Sequence, residues 1–450
     1  MNEILKTILL KNQKQFEHIS DMIWEYAETR YQEYRSADLL ENFLDQQGFS
    51  VEKGIGDIPT AFCAKFGSGH PVIAFLGEYD ALPGLSQKAD TIKEEALTAG
   101  GAGHGCGHNL LGAGSLEAAC ALKTYIEQVS RNGTVIYYGC PAEESGAGKA
   151  FMLRAGCFQD VDFALTWHPF TENGVWTRSL TNVKVNFHFS GRSSHASADP
   201  QNGRSALDAC ELMNVGVNYL REHVPSDIKM HYAYLNSGGT APNIIPAHAE
   251  LLYALRAEKS ENLKDVLSRV SDIAKGAALM TGTRVDMKIV SAYREILNIP
   301  EMEQLLLSCM KEHFPISYTR SELEYAEKFN NIDGDSPFSE CISRDISLTS
   351  DRMGMGSTDV GDISWNIPTG IIYLATMSSG TTMHSWTAVA QGKSSVAYKG
   401  MHTAASILAE AGRILLEEKT VRTKIQDSFA KATFRKPYYS LIPKEAKPDI

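Results

Sequence analysis

The 450-residue sequence contains no run of about 18 apolar residues, so no helical membrane span is expected. Its first eleven residues carry Leu5, Ile8, Leu9 and Leu10. Glu3 and Lys6 interrupt them and no small-residue cleavage site follows, so no secretory leader is expected either. Basic residues are in deficit. There are 43 Lys and Arg against 54 Asp and Glu, a net charge of -11, which argues against nucleic acid or an anionic membrane as the main partner. The eight cysteines form no CxxC pair, and in a chain of this length they read as reduced core residues with a cytoplasmic address. Internal repeats and low-complexity stretches are missing too.

What is present is a soluble globular composition, 43% hydrophobic and 22% charged, in a chain too long for one ordinary core. Two domains are the default expectation. Up to about residue 181, helical spacing (Phe16, Ile19, Ile23, Tyr26) alternates with short apolar strands such as Ala61–Phe66, Pro71–Leu76, Thr134–Tyr138 and Phe163–Trp167. That alternation predicts a layered α/β domain. After Leu180 the pattern changes. Val183, Val185, Phe187 and Phe189 alternate with polar residues, a helix follows near 204–221, and the order βαββαβ closes at Arg284–Ile289. This is the order of a small ferredoxin-like sandwich. The expected division is a catalytic domain in two parts, 1–181 and 293–450, with an inserted unit at 182–292. The charged, proline-punctuated tail after Lys419 is expected to be an appendage with little chemistry.

The most informative segment is Gly100–Asn109, where Cys106 and His108 stand two apart in a glycine-rich loop at the mouth of a predicted helix. Thiolate and imidazole suit zinc-like ions, and the glycines let both side chains face one spot. The rival readings are a phosphate loop and a structural turn. The first fits poorly, because the spacing matches neither GxGxxG nor GxxxxGK[ST] and the loop has no basic residue. A second segment places Glu143 and Glu144 after a strand. Such a pair is costly unless cations or a shared proton compensate, and a hydrolytic metal site needs one carboxylate to ligate and one to accept a proton. Taken alone, the pair also fits a solvated acidic loop. His168 at a strand end and His384 beyond Gly380 complete a set of metal ligands: Cys106, His108, Glu144, His168 and His384. Asp80, just beyond another strand, can hold a ligand imidazole by hydrogen bond, or can simply stabilise the turn before Pro83.

The segments GEYDALPG, AGHGCGHNLLGAGSLEAA, GCPAEESGAGKAFM, LTWHP, SSHAS with GRSALDA, GGTAPNIIP, GSTDVGDISW and TTMHSW resemble the M20 metallopeptidases over nearly the whole chain. They point to the amidohydrolase branch concerned with aminobenzoyl-glutamate. The resemblance implies a Zn-peptidase-like catalytic domain with a central mixed sheet flanked by helices, an inserted lid and dimerisation domain, and two divalent ions, Mn or Zn, per subunit. It implies that Glu143 is the general base and Glu144 a ligand. His195, Asn243 and Arg256 become substrate or transition-state contacts, with His195 reaching into the partner's site. The implied substrate is a small amide with a carboxylate, and the implied assembly is a homodimer, with room for a paralogous subunit. Typical M20 peptidases place a ligand histidine two residues before the aspartate, where this chain has Glu78. Cleavage of another acyl–amino acid or a dipeptide, and an inactive metal-binding scaffold, are the alternatives.

Overall fold

A computed structural model describes the chain except residues 176–177, 334–336, 338–339 and 348–355. The chain opens with α1 (Glu3–Tyr26), capped by Asn2, whose side chain accepts from the backbone N–H of Ile4 and Leu5. α2 (Tyr34–Gln46) leads to the strands β1 (Ser50–Lys53), β2 (Phe62–Ser68) and β3 (Val72–Glu78). After a long loop come α3 (His108–Val129), β4 (Gly133–Cys140), α4 (Gly148–Arg154), β5 (Phe163–Phe170) and β6 (Asn173–Gly174).

The next stretch is β7 (Thr181–Ser190), α5 (Ala206–Leu220), β8 (Lys229–Asn236), β9 (His248–Ala257), α6 (Ser260–Thr281) and β10 (Arg284–Tyr293). The return to the first layer uses α7 (Pro300–Lys311), α8 (Arg320–Asp333), β11 (Ile346–Ser347), α9 (Val360–Ser364), β12 (Thr369–Ala375), α10 (Trp386–Gln391), α11 (Ser395–Glu417) and α12 (Lys419–Thr433).

Two sheets result. The larger runs in the order β1-β2-β4-β3-β5-β12-β6-β11 and is mixed. Its centre, β4-β3-β5-β12, is parallel, and β2 joins β4 antiparallel. All residues of β3 and β4 are buried, as expected for central strands covered on both faces. α1, α3 and α11 pack on one face, and α3 is so enclosed that it buries nearly every residue of its first four turns. The smaller sheet, β10-β7-β9-β8, is antiparallel throughout and forms a ferredoxin-like βαββαβ sandwich. In β7 and β9 buried and half-buried residues alternate, the mark of one covered face, here covered by α5 and α6.

The tail departs from expectation. Lys419–Thr433 is helical, and the chain beyond it is strapped down rather than appended. Ile442 is buried, the Tyr438 hydroxyl donates to Asp362 at 2.5 Å, and Tyr439 lies against the Arg294 guanidinium, which also stacks on Trp365. Side-chain partners supplied by α9 were invisible in the tail's own composition.

Candidate metal centre and active site

The parallel strands β3, β4 and β5 end side by side, with Glu78 opposite Cys140 in register. Side chains at these ends therefore converge, the usual place for a site in an open α/β sheet. Local geometry aims them. Gly107 has a positive φ of 77°, and a Cβ there would meet Pro169 at 2.8 Å, so only glycine lets the loop enter α3 with Cys106 and His108 on the same side. Ala142 and His384 also adopt left-handed backbone, at φ 59° and 60°. The turn at Ala142 is held by its N–H donating to buried Glu33 at 3.0 Å, and His384 by its N–H donating to the Gly105 carbonyl at 3.0 Å.

Asp80 joins two parts of the site. One oxygen accepts from His108 Nδ1 at 2.8 Å, the other from the backbone N–H of Glu144 at 2.9 Å. Burial alone would raise its pKa, but the His108 imidazole and these bonds hold it below the ordinary carboxylate value. Because His108 gives its Nδ1 proton to Asp80, its Nε2 presents a lone pair. His168 is arranged alike: Nδ1 faces the Pro169 carbonyl at 2.7 Å, leaving Nε2 3.4 Å from Cys106 Sγ. Burial, with the charge of His108, drives His168 down to about 4, so it stays neutral. The strand carrying it runs on to Phe170, so His168 sits within β5 rather than at its end.

Three pairs of potential ligand atoms stand at nearly the same spacing: Cys106 with His168 at 3.4 Å, His108 Nε2 with Glu78 Oε2 at 3.3 Å, and His384 Nε2 with Glu144 Oε1 at 3.5 Å. Glu78 Oε2, His108 Nε2 and Glu144 Oε1 are buried atoms without any hydrogen-bond partner. Such atoms cost free energy unless something else satisfies them. Cys106, His108 and His168 offer ligand atoms within 4.8 Å of one another, as do Cys106, Glu144 and His384, and Glu78, His108 and Glu143. Burial, then Glu144, push the Cys106 thiol well above its ordinary range; a coordinated divalent ion reverses this by favouring thiolate. Glu143 is pushed well above the carboxylate range by burial and by Glu78 and Glu144. Buried Glu78, Asp80, Glu143 and Asp359 surround a single buried ammonium, Lys149. A mixed S, N and O donor set with surplus negative charge and orphaned atoms fits divalent cations of the zinc type.

The second sheet contributes differently. Arg256, near the end of β9 and opposite Asn182 and Lys229 in register, is half-buried and within electrostatic range of Lys184. His195 and Asn243 are on loops of this sheet, His195 half-buried and Asn243 exposed. Among the described residues neither hydrogen-bonds to the buried cluster. The backbone N–H groups of Ser197 and Ala198 donate to His195 Nδ1 at 3.3 and 3.0 Å, which places its proton on Nε2, free to donate outward.

Sequence reading missed several contributors. Lys184 of β7 donates to the Glu144 carbonyl at 3.2 Å and sees Glu143. It looked like one polar position in an alternating strand. Lys149 and Asp359 lie within segments already singled out, GAGKAFM and GSTDVGDISW, yet no spacing rule linked them across 210 residues. Glu78 stood out only as a departure from a histidine.

A family model described as "Peptidase dimerisation domain" matches residues 176–280. One of two listed chains of the p-aminobenzoyl-glutamate hydrolase of Escherichia coli (strain K12) is 39% identical over 477 aligned positions, covering 100% of this chain and 99% of that protein. The Xaa-Arg dipeptidase of Mus musculus is 30% identical over 78% of this chain and 74% of its own length. Among solved structures, a dinuclear metal-binding peptidase of the M20 family from Bacillus subtilis superposes with a TM-score of 0.56 at 17% identity, over 89% of this chain and 99% of that one, which shows a shared fold.

Proposed function

The chain belongs to the M20 family and is a metal-dependent amide hydrolase, and on that premise we propose that it cleaves p-aminobenzoyl-glutamate to p-aminobenzoate and glutamate with two divalent ions, Mn or Zn, per subunit. The observation that carries the metal-centred reading is the set of buried, unpartnered ligand atoms on Glu78, His108 and Glu144. Cys106, His108, Glu144, His168 and His384 hold the ions. When bound, such ions polarise an amide carbonyl and acidify a water.

Glu143 takes the proton of the attacking water. Its raised affinity for protons suits it to keep that proton until the amine leaves, and then to return it to the departing nitrogen. Asp80 fixes His108 in one tautomer and, through the Glu144 N–H, holds the glutamate loop against it. Arg256 grips the substrate carboxylate with its planar fork, and Asn243 orients the amide. His195 donates from Nε2 to the carbonyl oxygen as charge develops there. Because His195 and Asn243 stand on loops of the small sheet, away from the buried cluster's hydrogen bonds, they serve best across a dimer, with 182–292 as lid and dimerisation unit. The Escherichia coli hydrolase is named with two different subunits, so a paralogous subunit is a further expected partner.

The test is a metal-supplemented assay of the purified chain across p-aminobenzoyl-glutamate, Xaa-Arg dipeptides and N-acyl-amino acids, with Glu143→Gln as control. Release of p-aminobenzoate lost in the control supports the reading. Faster cleavage of the dipeptides reassigns the substrate. No turnover with metal bound, alone or with a paralogous subunit, reduces the chain to a scaffold.

A further inference from the structure

We propose that Glu78 is a further metal-holding side chain, aimed by Lys149 and Asp359, so that Glu78 Oε2 and His108 Nε2 share one cation. The inference rests on the two-metal reading above and enlarges its ligand set.

Glu78 ends β3 and is 2% exposed. Its Oε1 is committed: Lys149 Nζ donates to it at 2.6 Å. Lys149, in the first turn of α4, has no freedom of its own. Its ammonium also donates to Asp359 Oδ1 at 2.6 Å, and its backbone N–H to Asp359 Oδ2 at 2.8 Å. A fully buried ammonium fixed between two carboxylates sets the plane of both. The plane of Glu78 thus leaves Oε2 directed toward His108.

There it meets a lone pair. His108 has given its Nδ1 proton to Asp80, and its Nε2 lies 3.3 Å from Glu78 Oε2, yet neither atom has a hydrogen-bond partner. Two acceptors facing each other in a buried site repel unless a cation lies between them. Two ligand atoms each ~2.1 Å from one ion stand about 3.0–3.5 Å apart, and this pair matches. Glu143 offers an oxygen to the same group. As a purely structural salt bridge the triad would leave Glu78 Oε2 orphaned and the cluster with uncompensated negative charge, an arrangement that burial penalises.

The test counts metal rather than turnover. The full-length chain is stripped with chelator, titrated separately with Mn²⁺ and Zn²⁺, and analysed for ions bound per chain, with folding followed by circular dichroism. The wild type is expected to bind two ions. Glu78→Gln should stay folded and lose at least ~10-fold in affinity for one of them, as loss of a ligand or its support typically does. Lys149→Met should lose affinity to a smaller degree. The double variant Glu78→Gln/Lys149→Met should be no worse than Glu78→Gln alone, because Lys149 acts through Glu78. A folded Glu78→Gln that binds both ions with wild-type affinity overturns the ligand assignment, and a double variant weaker than Glu78→Gln overturns the positioning role. If a single variant does not fold, the double variant, which removes opposite charges together, carries the test of the ligand. His108→Ala separates the two levels. Unchanged binding there sinks the two-metal reading itself, whereas loss there with none in Glu78→Gln sinks only this inference.

Discussion

At the ends of β3, β4 and β5 polar side chains are buried and short of partners, while on the loops of the four-stranded sheet they reach solvent and bond to their own backbone. Glu78, His108 and Glu144 each keep an unsatisfied atom out of water. His195 instead has its Nδ1 occupied by Ser197 and Ala198, and its remaining nitrogen faces outward. The first arrangement is unstable in isolation and calls for a bound cation. The second is complete in one chain and becomes functional only when something arrives. The difference separates groups that hold an ion permanently from groups that meet substrate or partner.

The strongest way to break this comparison is within the buried cluster. Glu143→Gln keeps shape but cannot accept a proton, so turnover should fall by about 10²–10⁴ with metal content unchanged. Equal loss of metal and rate, by elemental analysis beside steady-state kinetics, would make Glu143 a ligand instead.

On the loop side, His195→Ala should lower kcat by about 10²–10³ without changing melting temperature or metal content. If His195 acts across the dimer, mixing and re-equilibrating His195→Ala with Glu143→Gln should restore about a quarter of wild-type activity, since half the dimers are mixed and each holds one complete site. A mixture as inactive as its components would place His195 in its own chain's site or outside catalysis.

Arg256→Ala is expected to act more weakly, raising KM roughly 10-fold for carboxylate substrates with a smaller change in kcat. The same KM for an uncharged amide analogue would confirm that the carboxylate is what it grips. A kcat effect equal to that on kcat/KM would assign the interaction to the transition state alone.

The smallest effect belongs to the frame around the site. Asp362 is buried and raised to about 7 by desolvation, with Tyr438 and Arg294 opposing. An unfolded aspartate titrates near 3.9. Between these values the folded chain holds a proton that the unfolded chain has released, so the stability from this group is full at low pH and is lost as pH rises from about 4 toward 7. Asp362→Asn should flatten that slope in chemical denaturation at pH 5 and pH 8. An unchanged slope would remove Asp362 as its source.

Much of this was readable in the chain because the chemistry lay in short segments. Cys106 and His108, or Glu143 and Glu144, are separated by at most one residue, and the resemblance supplied the links between segments. Sheet alternation in Val183–Phe189 exposed the one-sided strand at once. Long-range ion pairing was not readable: Lys149 looked like any basic residue opening a helix, and Asp359 like any acidic residue before one. Their meaning depends on both being fully buried beside Glu78, which composition and periodicity do not encode. The tail misled for a related reason. Tyr438 and Tyr439 look solvent-facing in a polar stretch until α9 and Arg294 are placed opposite them.

The central claim is that these strand ends are built around metal ions. Its most direct test is anomalous diffraction from crystals of the Mn-loaded protein. Two anomalous peaks per chain are expected, both ringed by Cys106, His108, Glu144, His168 and His384, with Glu78 on the His108 side. Full manganese occupancy in solution with no peak among these residues, or peaks elsewhere on the chain, would contradict it.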